Sequence, residues 1–227
     1  MKDIHGDYGE FCYKGFRHSL CHGWASGPAA WLSAHVLGIQ PVEDPIEVYL
    51  FQSKRTYDRF LSRNLPTIPY RRALYVKDRG QGRVFVCRGP HFEVDLRHES
   101  THALLHSALR VVPLWLDEGL AVYYENPVEK RVNGSPQWDG VRWSVRLGGV
   151  ERLEVLEKKR RVEEMERGDY RAAWAWVHFM FHGSPEANDE LVRFVADLQA
   201  GNPPGLLSQR LRRRLANPAE QLAAHFR

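Results

Sequence analysis

The densest chemistry in the sequence lies in Asp95-Leu96-Arg97-His98-Glu99-Ser100-Thr101-His102-Ala103-Leu104-Leu105-His106, which contains His98-Glu99-x-x-His102. On a helix, residues four apart share a face one turn apart. Both imidazoles can therefore reach one ion at about 2.0–2.1 Å. Glu99 leaves the axis about 100° round from His98, beside such an ion rather than on it. That offset suits a carboxylate that takes a proton from an attacking water. Asp95, three residues before His98, reads as the N-cap that starts this helix. His106 continues the stripe but lies about 12 Å from His98 along the axis, too far to share an ion. A His102/His106 pair would place Ala103 where the base is needed, so His106 reads as a core or rim residue.

Two imidazoles are not enough, because a catalytic zinc uses three protein ligands and keeps one open position. The third must come from an element that folds back. Pro113 stops the first helix, and Leu114-Trp115-Leu116-Asp117-Glu118-Gly119-Leu120-Ala121 begins a second. So short a connection forces the two helices together, and Glu118 falls on the first turn of the second. Gly119 and Ala121 remove bulk where two backbones approach. Asp117 competes with Glu118, but adjacent helical residues point about 100° apart, so only one can serve. Glu118 is the favoured ligand, with Asp117 bracing another ligand from behind.

The set His98, Glu99, His102 and Glu118 matches the gluzincin pattern of zinc peptidases with two histidines and one glutamate. The segment Pro-Leu-Trp-Leu-Asp-Glu-Gly-Leu-Ala before an aromatic pair resembles bacterial domain families grouped as peptidase-MA-like. The similarity runs from about Pro45 to the C-terminus and is densest over 95–125. It implies a zincin-like fold, a Zn2+ cofactor, and Glu118 as the third ligand, from a Trp-Leu-x-Glu-Gly segment. The activity it implies is hydrolysis of peptide bonds in a peptide or protein substrate. The alternative is a catalytically inactive zincin-like domain acting as a binding or structural module.

Gluzincins place a Tyr or His from a downstream helix near the carbonyl oxygen, where a donor lowers the barrier. Tyr170 and His178, on one face with Trp174 between them, are the matching candidates, Tyr170 first; the other reading, favoured for each taken singly, is that these three residues simply line a helix–helix contact. The resemblance also implies that Arg83-Val84-Phe85-Val86-Cys87-Arg88 is an edge strand open to an extended substrate, since unpaired edge groups bind any backbone. Cys87 reads as a small buried side chain rather than a nucleophile.

The positioning elements follow from the patterning. Strands are expected at 46–51, 73–77 and 83–88, with Asp78-Arg79-Gly80-Gln81-Gly82 as a five-residue hairpin link. Helices are expected over Gly27–Gly38, over Ser53–Leu61, and at about 96–110, 115–125, 150–166, 170–182, 187–199 and 205–223, punctuated by Pro and Gly. The fold class is α+β: a small, mostly antiparallel sheet followed by a helical lobe. Residues 1–24 are expected to form an irregular segment, and 25–227 one domain. Its sheet part spans about 45–90, the active-site helices 95–125, and the helical lobe 150–227.

Composition narrows the class further. Of 227 residues, 43% are hydrophobic and 26% charged, which excludes wholesale disorder. No apolar run approaches the ~20 residues of a membrane-spanning helix. The start, Met1-Lys2-Asp3-Ile4-His5-Gly6-Asp7, has neither apolar core nor cleavage site. The expectation is a cytoplasmic protein, or a secreted one if the native leader is missing from this chain. Three cysteines, Cys12, Cys21 and Cys87, argue against a disulfide framework or a cysteine zinc cluster. The net charge of +4 is mild. Lys158-Lys159-Arg160-Arg161, alternating with glutamates, reads as a solvated, internally paired helix face. With Arg210–Arg214, it is not expected to bind nucleic acid, nor is the chain expected to bind membrane.

Overall fold

The computed structural model describes residues 45–78 and 80–227. The expected segment 1–24, the Gly27–Gly38 helix, Cys12 and Cys21 lie outside the described residues. The element order is β1 (Glu47–Phe51), α1 (Lys54–Asn64), β2 (Ala73–Asp78), β3 (Gln81–Cys87), α2 (Phe92–Ala108), α3 (Leu114–Tyr124), α4 (Gln137–Arg146), α5 (Leu153–Leu156), α6 (Arg167–His182), α7 (Pro185–Ala200), α8 (Leu207–Arg214) and α9 (Pro218–His225). This is an α+β arrangement, sheet first and helical lobe second. Among the described residues, no helix is long and apolar enough to cross a membrane.

The three strands are ordered β1-β3-β2. β2 pairs antiparallel with β3 from Ala73↔Val86 out to Asp78↔Gln81, so the hairpin link is shorter than the five residues expected. Gly80, at φ 91°, takes a left-handed conformation that costs a residue without Cβ little. β1 pairs parallel with β3, Val48 opposite Val84 and Phe51 opposite Cys87, so the sheet is mixed. α1 carries the chain back across one face before β2 begins, which returns β3 to the direction of β1. β3 is therefore the central strand, bonded on both sides. The expectation that 83–88 is a substrate-binding edge is corrected: β3 is paired on both sides, and among the described residues the edges are β1 and β2.

Period-2 alternation gives the sheet two apolar faces. Tyr49, Phe51, Leu74 and Phe85 meet Tyr57, Phe60 and Leu61 of α1, with Phe60 about equally close to Phe51 and Phe85, ring centroids 5.1 Å apart in both pairs. Leu50, Ala73, Val84 and Val86 form the other face and pack on Leu96 and Ala103 of α2. The helix that carries the two histidines is thus seated directly on the sheet.

α2 begins at Phe92, soon after Gly89-Pro90 ends β3, and not at Asp95. Asp95 is inside the first turn, where its charge complements the helix dipole and pairs with Arg72 at 2.7 Å. It is not the N-cap.

The helical lobe is built on α3 and α6. Trp115, Leu116, Leu120 and Tyr124 pack with Ala172, Ala173, Trp174 and Val177 in one core. A Cβ on Gly119 would stand 2.8 Å from the Ala173 carbonyl oxygen, so the missing side chain serves the contact with α6. Two expectations fail in this lobe, and one helix was unforeseen. The 150–166 helix is only the one turn of α5 plus a 3-10 turn at Val162–Glu164. Past Leu156 no apolar stripe remains, and bonds across the fold win: Glu157 accepts from Ser208, and Lys159 reaches Asp169. α4 was not expected. Its Trp138, Val141 and Val145 have the right spacing, but Gly140 conceals it; a Cβ there would be 2.6 Å from Arg171 Nε. The 205–223 helix divides at Asn217, which is left-handed at φ 49° ahead of Pro218.

Candidate metal centre

α2 and α3 meet so that His98 Nε2 and His102 Nε2 each lie 3.8 Å from the same oxygen, Glu118 Oε2. One ligand atom from each residue fits within 4.8 Å of the other two. Tetrahedral ligands about 2.1 Å from a shared ion stand about 3.4 Å apart, so small side-chain movements would close the set. Both rings are locked from behind. Glu125 Oε2 is 3.0 Å from His98 Nδ1, and Asp117 Oδ1 is 2.7 Å from His102 Nδ1. An ionised carboxylate only accepts hydrogen bonds, so each Nδ1 donates and each Nε2 is the nitrogen left for an ion.

The supports are themselves anchored. Arg97 Nε donates to the Glu125 carbonyl at 2.7 Å, tying the end of α3 to the turn of α2 that bears His98. Asp117 also accepts from His106 Nε2 at 2.8 Å. Burial would raise the Asp117 carboxyl, but the His102 and His106 hydrogen bonds prevail and hold it well below the usual carboxylate range.

The electrostatics favour a cation. Burial pushes the Glu118 carboxyl up from its ordinary value. Among the described residues no hydrogen bond reaches it, although Glu118 is only 7% exposed. A buried carboxylate without a hydrogen-bond donor is costly. Burial by itself would lower His102, yet the hydrogen bond and charge of Asp117, with Glu118 and Glu99, raise it to about 9. The pocket attracts positive charge, and two nitrogens with one carboxylate oxygen are a donor set suited to zinc. His102, His106 and Asp117 also lie within 4.8 Å. There, however, both Asp117 oxygens are already engaged in hydrogen bonds, and an ion there would leave Glu118 outside the ligand set.

The structure brings together His98, His102 and Glu118, with Asp117 behind rather than in the set. Glu99 is half-buried beside them and makes no hydrogen bond or ion pair among the described residues, though its charge is felt at His102, Glu118 and Tyr57. Tyr170, half-buried on α6, has its hydroxyl raised by burial and by the Glu118 charge. His178 is not brought to the site. It is 1% exposed, its Nδ1 lies 2.9 Å from His225 Nε2, and its Nε2 lies 2.8 Å from the Val132 carbonyl. With Nδ1 on His225 and Nε2 on the Val132 carbonyl, neither nitrogen is left to donate to a substrate. Cys87 is half-buried, and burial raises its thiol.

Sequence reasoning missed Glu125. The signal was available: it follows Glu118 by seven residues, two turns on the same face. The basic runs pair both locally, Arg161 with Glu164 three residues on, and across the fold. Lys159 binds Asp169, Arg210 binds Glu190 and Asp197, and Arg214 binds Glu190. No protein-family model matches the chain, and no curated protein matches it significantly.

Proposed function

We propose that this protein is a zinc-dependent peptidase. One observation carries the reading: two ring nitrogens, each backed by a carboxylate, face a single buried glutamate oxygen at 3.8 Å. His98, His102 and Glu118 would hold the ion. Bound there, zinc supplies Lewis acidity, polarising a carbonyl and making a water acidic near neutral pH.

The chain's own residues do the rest. Glu125 and Asp117 keep the two imidazoles in the tautomer and orientation that hold the ion. Glu99 accepts a proton as water adds to the scissile carbon, then returns it to the amine as the C–N bond breaks. The Tyr170 hydroxyl donates to the carbonyl oxygen as negative charge builds there. A closed structural site has no use for Glu99, and its fourth position is most often sulfur; no cysteine lies between 98 and 118. These features support catalysis over a purely structural zinc.

The test is metal analysis of wild-type and Glu118→Ala protein alongside digestion of a mixed peptide pool. The expected result is about one zinc per wild-type chain, little in Glu118→Ala, and cleavage by the wild type alone. Equal zinc in both proteins, or no zinc in the wild type, overturns the reading.

A further inference from the structure

Asp117 spends one oxygen on His102 and the other on His106. His106 lies one turn beyond His102 on α2 and contributes nothing to the His98, His102 and Glu118 set. Its ring is nevertheless restrained on a second side. The Tyr75 ring lies against it, centroids 5.6 Å apart and tilted by 31°, and Lys77 donates to the His106 carbonyl. Both restraints come from β2. The Tyr75 hydroxyl is buried with no hydrogen-bond partner among the described residues, and against His106 this side chain offers a packing surface.

A carboxylate held by one hydrogen bond can still swing about its terminal torsion, which is broad and roughly two-fold. A second, fixed donor on the other oxygen removes that freedom. We propose that His106 is a positioning residue for the metal centre: braced by Tyr75, it holds Asp117 in the rotamer that aims the His102 ring at the ion. The edge strand β2 thereby takes part in the site without touching it. This inference rests on the zinc reading above.

The test compares His106→Leu, which fills the space without a donor, with His106→Gln, whose amide restores one. The readouts are zinc affinity by chelator competition, the visible spectrum of the cobalt-substituted protein, and the melting temperature of the metal-free protein. Outer partners of metal ligands typically govern affinity by 10–100-fold. His106→Leu should bind zinc about tenfold more weakly and show an altered cobalt spectrum, with metal-free melting close to wild type. His106→Gln should recover most of both signals. Wild-type affinity and spectrum in His106→Leu overturn the proposal; if Glu118→Ala has meanwhile lost its metal, the zinc reading survives. Two zinc equivalents in wild type falling to one in His106→Leu would also overturn it, because His106 would then be a ligand of a separate ion. Should His106→Leu fail to fold, Tyr75→Leu keeps an apolar side chain on the sheet core but removes the ring that braces His106, and must still weaken zinc severalfold; unchanged affinity there overturns the proposal.

Discussion

Glu125 Oε2 stands 3.0 Å from His98 Nδ1 across the junction of α2 and α3, a pairing between residues 27 apart in the chain. It gives the first histidine the same backing that Asp117 gives the second. The two supports sit at opposite ends of α3, so this one helix supplies both braces as well as the Glu118 ligand.

Removing that support should be felt in metal affinity. Glu125→Ala is expected to weaken zinc binding about 10–100-fold, and Glu125→Gln by less, because its amide oxygen still accepts from Nδ1. Glu129→Ala, an exposed carboxylate in the next turn, is the control and should change nothing. Chelator competition decides, and equal affinities for Glu125→Ala and Glu129→Ala would refute the role of Glu125.

Glu99 should separate chemistry from binding. Glu99→Gln keeps wild-type zinc content and loses peptide hydrolysis by about 10²–10⁴-fold, the range for a lost general base. His98→Ala loses both zinc and hydrolysis. Cleavage at wild-type rate by zinc-loaded Glu99→Gln would remove this residue from the mechanism.

Two glycines should respond differently to the same change. At Gly119 a methyl group meets the Ala173 backbone, and at Gly140 it meets the flexible Arg171 side chain. Gly119→Ala should cost about 1–3 kcal/mol through overpacking. Gly140→Ala should cost less, since the Arg171 side chain can move, while the helix-propensity gain of up to about 1 kcal/mol is common to both. Thermal denaturation of the two variants checks the order, and a Gly119→Ala protein as stable as wild type contradicts it.

The buried His178 cluster should make stability depend on pH. Burial lowers His178 to about 4, aided by the nearby His182 and His225, while the Val132 carbonyl opposes the shift. In the unfolded chain a histidine titrates near 6.5. Between these values the unfolded state binds the proton first, so stability present above pH about 6.5 is lost as pH falls toward about 4. The contribution is of order 3 kcal/mol. His182 and His225 are lowered too and add in the same direction. Denaturant unfolding from pH 7 to 4.5 should show a flatter slope in His178→Gln than in wild type. Parallel slopes would mean His178 is not held neutral.

Part of this protein is written in local spacing. The four-residue step from His98 to His102 puts two rings on one helical face in any fold that keeps the helix, and Pro113 makes the next helix double back with Glu118 on its first turn. The β-prone runs in the sheet and the apolar steps of α1, α2, α3, α6 and α7 are similarly local, because burying one face requires a fixed period. The 150–166 segment shows the limit. Its charge pattern suits a helix, yet past Leu156 it has no apolar face to bury, and Glu157 and Lys159 find partners elsewhere.

Only the tertiary structure decided which side chains from different elements share a neighbour. It made β3 the central strand, set Glu125 behind His98, engaged both oxygens of Asp117, and drew His178 to His225, 47 residues away, instead of to the metal set. A hydrogen bond between elements depends on which faces pack together, and that is set by the apolar surface of the whole domain. A repeat within one helix needs nothing but the helix.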